Sequence, residues 1–209
     1  MEPFVTVTGP AAVLARDNVD TDVIVRIERL TSIARAELGP YAFESWRLRP
    51  DGSEDPDFVL NQPALREASI LVAGRNFGCG SSREGAVWAL AARGIRCVIA
   101  ESFGDIFFSN CFQNAVLPIR LSADVLQWVA RAAAGGKALS VDLGARRITL
   151  PDGTALAFEV DEMRREALLE GLDDISRTLK SEVAITAWQQ ADRAARPWVW
   201  GPQRREVAR

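Results

Sequence analysis

Residues 74–84, Gly-Arg-Asn-Phe-Gly-Cys-Gly-Ser-Ser-Arg-Glu, hold the densest set of groups able to act on a ligand. Gly74, Gly78 and Gly80 keep the backbone bare around Cys79, Ser81 and Ser82 offer hydroxyls, and Arg83 offers a guanidinium. An apolar run at 68–73 precedes the stretch and an amphipathic pattern at 82–93 follows it. The order is therefore strand, loop, helix N-terminus. The first helical N–H groups lack internal partners and the helix dipole is positive there, so an anion is favoured. A guanidinium holds a carboxylate or phosphate through two parallel hydrogen bonds. Together these features point to a small acidic ligand with a serine placed to act on it. Each residue also has a plainer use. Ser81 and Ser82 suit helix N-caps, and Arg83 can pair with an acidic side chain. Its place in the first helical turn, where the dipole disfavours cations, favours the anionic ligand.

Composition narrows the chemistry. The chain has no histidine, which removes a Ser-His-Asp triad and any His-ligated metal site. Cys79, Cys97 and Cys111 are odd in number, far apart and form no Cys-x-x-Cys pair. They predict neither a disulfide framework nor a metal site on this chain, and they fit a reducing, cytoplasmic compartment. Cys79 reads as a small packed residue, and Cys97 and Cys111 as core. A net charge of −3 leaves no footprint for nucleic acid. Residues 1–18 carry no secretory pattern, and no apolar run is long enough for a membrane span.

The elements that must hold the 74–84 stretch read as follows. Short strands at 4–8 and 11–14 flank a Gly9-Pro10 turn, and a further strand at 22–26 follows the acidic loop 17–21. The region 27–63 is irregular, with a short helix near 41–47. A strand at 69–73, the loop, a helix at 82–93 ended by Gly94, a strand at 95–100, a helix at 103–111 capped by Ser102, and a strand at 115–120 form a βαβαβ run. Such a run predicts a parallel sheet with the ligand beyond the strand C-termini. A helix at 122–134 follows, then three short strands near 139–142, 146–150 and 154–159, with a turn at Pro151-Asp152-Gly153. Helices at 161–170 and 181–195 complete one domain over 1–195. Residues 196–209 read as a flexible tail whose two tryptophans can alternatively dock on a partner.

Motifs along the whole chain resemble the small subunit of 3-isopropylmalate dehydratase (isopropylmalate isomerase), the counterpart of the swivelling domain of aconitase. They are Asn18-Val19-Asp20-Thr21-Asp22-Val23-Ile24, Asp57-Phe58-Val59-Leu60-Asn61, Asn76 to Glu84, Phe103-x-Asp105-Ile106-Phe107 with Asn110 and Asn114, and Gly171-Leu172-Asp173-Asp174-Ile175. The resemblance implies an α/β fold, a three-layer β/β/α swivelling domain around a central, largely parallel sheet. It implies a hetero-oligomer with a large subunit that carries a 4Fe–4S cluster, with no cofactor bound by this chain. It implies reversible dehydration of a hydroxy-dicarboxylic acid, 2-/3-isopropylmalate in leucine biosynthesis, at a site shared between the two chains.

By the same resemblance Ser81 is the catalytic base. Ser82, Arg83, Arg35, Asp20, Thr21 and Asp22 bind substrate, and Gly78, Cys79 and Gly80 supply the backbone of the anion loop. Asp20, Thr21 and Asp22 can equally form only a turn, and Arg35 only a solvated helix face. Ser81 ionises only if the helix N-terminus, nearby N–H groups and Arg83 stabilise the alkoxide. The chain departs from the family pattern at Gly85, where histidine is usual, at the substrate-sensing loop 35–39 (Arg-Ala-Glu-Leu-Gly, with a new carboxylate at Glu37), and at Arg26 and Ile27. These departures keep two other readings open: a paralogous hydratase acting on another substituted malate or maleate, and a non-catalytic carboxylate-binding or assembly subunit.

Overall fold

The strands read as apolar runs are buried on both faces. In the computed structural model, which describes residues 1–201, Ile70–Ala73 and Cys97–Ala100 are buried at every position. That is what parallel strands covered on both sides require. In chain order the elements are β1 (Thr6–Leu14), α1 (Thr21–Ile24), α2 (Ile27–Ser32), α3 (Glu44–Arg47), β2 (Ile70–Ala73), α4 (Glu84–Ala92) and β3 (Cys97–Ala100). Next come α5 (Asp105–Gln113), β4 (Leu117–Arg120), α6 (Ala123–Ala133), β5 (Ala138–Asp142), β6 (Arg147–Thr149), β7 (Ala155–Ala157) and α7 (Glu162–Glu170). The last two helices are α8 (Asp174–Leu179) and α9 (Glu182–Ala195).

The chain forms two compact units, Met1–Gly171 and the residues from Leu172 onward. In the first, seven strands form one sheet of order β4-β3-β2-β1-β5-β6-β7. β1 to β4 pair in parallel, and β1, β5, β6 and β7 pair antiparallel. β1 joins the two halves. Its residues 6–10 pair with β5 and residues 11–14 with β2.

Alternation along the strands divides the core between the two faces. Ala12, Leu71, Ala73, Val98 and Ala100 face a cluster completed by Ala86, Leu90 and Phe107 of α4 and α5. Ala11, Ile70, Val72, Ile99 and Leu117 face a second cluster completed by Leu126 and Val129 of α6. The thiols of Cys97 and Cys111 lie inside these clusters, and burial pushes both well above the usual thiol range. Among the described residues no helix is long and apolar enough to cross a membrane.

Four local expectations are corrected. Gly9-Pro10 is not a turn: β1 runs through it. Pro10 is the last residue paired with β5, and a proline lacking N–H is tolerated at such a break in the ladder. Residues 22–26 are not a strand. The Asp20 carboxylate accepts from the N–H of Val23 at 2.9 Å and caps the single turn of α1, so local capping prevails over the β-branched run. Ser102 caps no helix; Gly104 holds that position, and the Ser102 hydroxyl accepts from the N–H of Asn76 at 2.9 Å. The irregular 27–63 region holds further short elements, α2 and 3-10 turns at Arg35–Glu37, Gly39–Tyr41 and Val59–Asn61.

The second unit contains α8, which the sequence pattern did not predict. Asp173 caps it by accepting from the N–H of Ser176 at 2.7 Å. Trp200 donates its indole N–H to Asp192 of α9 at 2.9 Å, and the Arg193 guanidinium stacks 4.5 Å above its ring. The first part of the expected 196–209 tail therefore folds back on α9. The rest of that tail, 202–209, lies outside the described residues.

Candidate active site

The 74–81 loop continues the parallel sheet past the end of β2. On one side Gly74 donates to the Arg16 carbonyl at 3.2 Å, Gly78 to the Val19 carbonyl at 2.7 Å, and Thr21 to the Cys79 carbonyl at 2.9 Å. On the other, Phe77 donates to the Ser102 carbonyl at 3.0 Å and Gly104 to the Phe77 carbonyl at 2.9 Å. Side chains tighten the same seams. Asp17 accepts from the N–H of Arg75 at 2.7 Å, and Asn76 donates to Asn18 at 2.9 Å. The first half of the loop is thus a third strand-like layer between two neighbours, and its N–H groups are spent on protein. From Gly80 to Glu84 the backbone N–H groups have no partner among the described residues. The free donors expected of this loop thus lie in its second half, toward the N-terminus of α4.

The loop rests on an aromatic floor. Phe77 meets Phe107 edge-on at 5.4 Å, and Phe103 stacks on Phe107 at 6.3 Å. Gly78 has a φ of +71°, and a Cβ there would lie 2.2 Å from the Phe107 ring. Gly78→Ala combines left-handed strain with overpacking and is expected to destabilise the chain by about 2–4 kcal/mol. Urea denaturation of the two proteins side by side measures the difference.

Ser81 and Ser82 are both exposed. Neither caps α4. Arg83 occupies the cap position in an extended conformation, with no side-chain capping bond. Neither hydroxyl has a partner among the described residues, so both stay available to a ligand. The Ser81 carbonyl is fixed by the hydroxyl of Thr21, which donates at 3.0 Å from a side chain only 1% exposed. Asp20, through its cap on α1, and Thr21, through this bond, hold the turn in place.

Arg83 and Asp22 form an ion pair in which Arg83 is the more buried partner, 22% exposed against 53%. The acidic partner weighed for Arg83 is therefore real in the isolated chain, and it is itself one of the residues expected to bind substrate. Cys79 is half-buried, and burial followed by the Asp20 charge raises its thiol. It is no thiolate nucleophile.

Arg35 makes no hydrogen bond to Ser81, Ser82 or Arg83 and is held elsewhere. Its Nη2 donates to Asn114 Oδ1 at 2.5 Å, and its guanidinium lies 5.0 Å above the Trp88 ring. Asn114 is 6% exposed and passes the connection on, its Nδ2 donating to Glu84 Oε1 at 2.9 Å. The 3-10 turn carrying Arg35 is thereby tied to the first residue of α4. Neither Asn114 nor Glu84 was expected to link the two. The repeated asparagines of the 103–114 motif were the only hint in the sequence. Glu37 is exposed to solvent.

Among the described residues no group of His, Cys, Asp and Glu could hold a metal ion. A cavity of about 920 Å3 between α5, β4 and α7 shares no residue with the Ser81 turn.

Comparison with known proteins gives the family. Residues 1–124 match the Aconitase C-terminal domain family, and residues 127–162 match the family described as LeuD_N. The chain is 52% identical over 203 residues to a protein of Rhodospirillum centenum named 3-isopropylmalate dehydratase small subunit, covering 96% of this chain and 100% of that one. A protein of the same name from Jannaschia sp. is 51% identical over 201 residues, covering 95% and 100%. The crystal structure of 3-isopropylmalate dehydratase from Methanocaldococcus jannaschii superposes with a TM-score of 0.64 at 26% identity, covering 87% of this chain and 98% of that one.

Proposed function

The chain belongs to the 3-isopropylmalate dehydratase small-subunit family, and on that premise we propose how its own residues take part in the reaction. It is the small subunit of a hydro-lyase that works with a large subunit in leucine biosynthesis. Our reading is that the substrate, a hydroxy-dicarboxylate of the isopropylmalate type, lies over the Gly80–Glu84 turn, in the cytoplasm and without membrane or nucleic acid. One observation carries it. This turn alone in the 74–84 stretch combines unpartnered backbone donors, two free hydroxyls and a half-buried guanidinium.

The Arg83 guanidinium exchanges Asp22 for a substrate carboxylate, and the Ser82 hydroxyl and backbone donors add hydrogen bonds to it. Ser81 Oγ, as the alkoxide, takes the proton from the carbon next to that carboxylate; the C–H electron pair forms the C=C bond, and the C–O bond on the adjacent carbon breaks, its electron pair leaving with the oxygen as hydroxide. Returning that proton and hydroxyl with their positions exchanged gives the isomer. Among the described residues the donors do not fit an iron–sulfur cluster: the three cysteines are separate, two of them buried in the core, and no cluster of ligands is formed. We assign the 4Fe–4S cluster to the large subunit, where it supplies Lewis-acid help to the departing hydroxyl. The residues here bind, orient and move the proton.

The test is co-expression with the large chain, anaerobic cluster reconstitution, and a screen of substituted malates and maleates by ultraviolet absorbance of the alkene. The expected result is turnover of 3-isopropylmalate by the pair and none by this chain alone. Dicarboxylate binding in calorimetry with no turnover by the loaded pair would replace this reading with a purely binding or assembly role.

A further inference from the structure

We infer that Gly85 is a positioning residue for the Ser81–Arg83 turn, acting through Leu30 of α2; the inference rests on the functional reading above. Gly85 is the second residue of α4, and glycine is a poor helix former, so its presence there calls for a reason. The reason is packing. Gly85 is buried, and a Cβ built on it would lie 2.4 Å from Leu30 Cδ2, 2.6 Å from Cδ1 and 3.1 Å from Cγ. All three atoms belong to one side chain, so the end of Leu30 sits in the space a larger residue at 85 would use. The position is not an enlarged pocket; Leu30 fills it.

This contact is one of three that stitch α1 and α2 across the N-terminus of α4. Thr21 donates to the Ser81 carbonyl, Asp22 pairs with Arg83, and Leu30 fills the notch at Gly85. The three differ in what binding does to them. A substrate carboxylate taken by Arg83 competes with Asp22 for the same charge and weakens the Asp22 link, which is already open to solvent on the Asp22 side. The Leu30 contact involves no charge and survives that competition. It therefore keeps the α1–α2 corner seated, and with it the Thr21 hydroxyl that holds the Ser81 turn, while substrate occupies Arg83. On the other side α2 is anchored by Arg29, whose guanidinium bonds the buried Glu44 carboxylate at 3.0 Å and lies 4.4 Å over the Tyr41 ring. With that side fixed, displacing Leu30 from the notch loosens the corner where it meets α4.

The experiment uses the assembled two-chain enzyme with Gly85→Ala, Leu30→Ala and the pair Gly85→Ala/Leu30→Val. Valine removes the colliding Cδ atoms while the alanine methyl fills the notch, so the pair is complementary. Gly85→Ala is expected to lower kcat by about 10- to 100-fold, the scale of a small misplacement of a reacting group, with KM changed far less and assembly unchanged. Leu30→Ala, which creates no collision, should also lower kcat, and the pair should recover to within about threefold of the unaltered enzyme. Normal kcat in Gly85→Ala, or no recovery in the pair, overturns the inference. Hydrogen–deuterium exchange separates this from failure of the functional reading. If the unaltered pair of chains turns over no malate, the functional reading falls. Faster exchange at 21–32 in Gly85→Ala alone still reports the seat, and unchanged exchange there removes it.

Discussion

Replacing Ser81 by alanine in the two-chain enzyme is expected to lower kcat by about 10³- to 10⁴-fold, with KM and assembly unchanged. The loss is large because the chain offers no substitute base near the turn. It has no histidine, the Cys79 thiol is raised, and the Asp20 carboxylate is committed to capping α1. The effect falls on kcat because the hydroxyl contributes little to holding a ground-state dicarboxylate but accepts the proton in the transition state. Structure is spared, since Ser81 is exposed, makes no side-chain hydrogen bond and is held by its carbonyl, which alanine retains. An alkoxide needs positive potential, and the turn provides it through unpartnered N–H groups, the N-terminus of α4 and Arg83. Steady-state kinetics with the reconstituted complex decides the matter. A kcat within tenfold of the unaltered enzyme removes Ser81 as the base.

Arg83→Ala is expected to raise KM by about 10- to 100-fold, the loss of charge-assisted hydrogen bonds to one carboxylate. The ion pair with Asp22 does not prevent this role. Asp22 is about half exposed, and a pair open to solvent is weak enough for a substrate carboxylate to displace it. The same competition makes a second expectation with the opposite sign. Asp22→Asn leaves Arg83 uncompensated in the free chain and should lower KM by up to about fivefold. Titration of both variants with one dicarboxylate, in the presence of the large subunit, compares them. A rise in KM for Asp22→Asn equal to that for Arg83→Ala would mean that Asp22 touches substrate itself rather than acting through Arg83.

How far these expectations were legible beforehand varies with the range of the interactions. The parallel strands at 70–73 and 97–100 were readable because burial on both faces demands unbroken apolar runs, and the antiparallel strands at 138–157 because their turn is written in Pro151-Asp152-Gly153. Residues 22–26 were misread because Val23-Ile24-Val25 has strand composition, while the deciding bond comes from Asp20. The cap weighed for Ser81 and Ser82 fits their type, an exposed serine before a helix, whereas cap geometry is set by where the chain turns, at Arg83. The Arg35–Asn114–Glu84 connection spans 79 residues of chain on one side and 30 on the other, and nothing local encodes it.

By itself, then, the sequence determined the chemistry available to this protein: serine and arginine at the start of a helix, no imidazole, no metal-ligand set, and motifs that place it in its family. Those are properties of residue type and short spacing, and they survive without coordinates. Only the tertiary structure decided which groups are free to act. It spends the N–H groups of residues 74–78 on neighbouring strands and leaves those of 80–84 open. It sets Asp22 against Arg83 across 61 residues and fills the notch at Gly85 with Leu30. The physical reason is that a donor, a charge or a gap is available only relative to what packs against it, and in this chain those partners come from segments far apart in sequence.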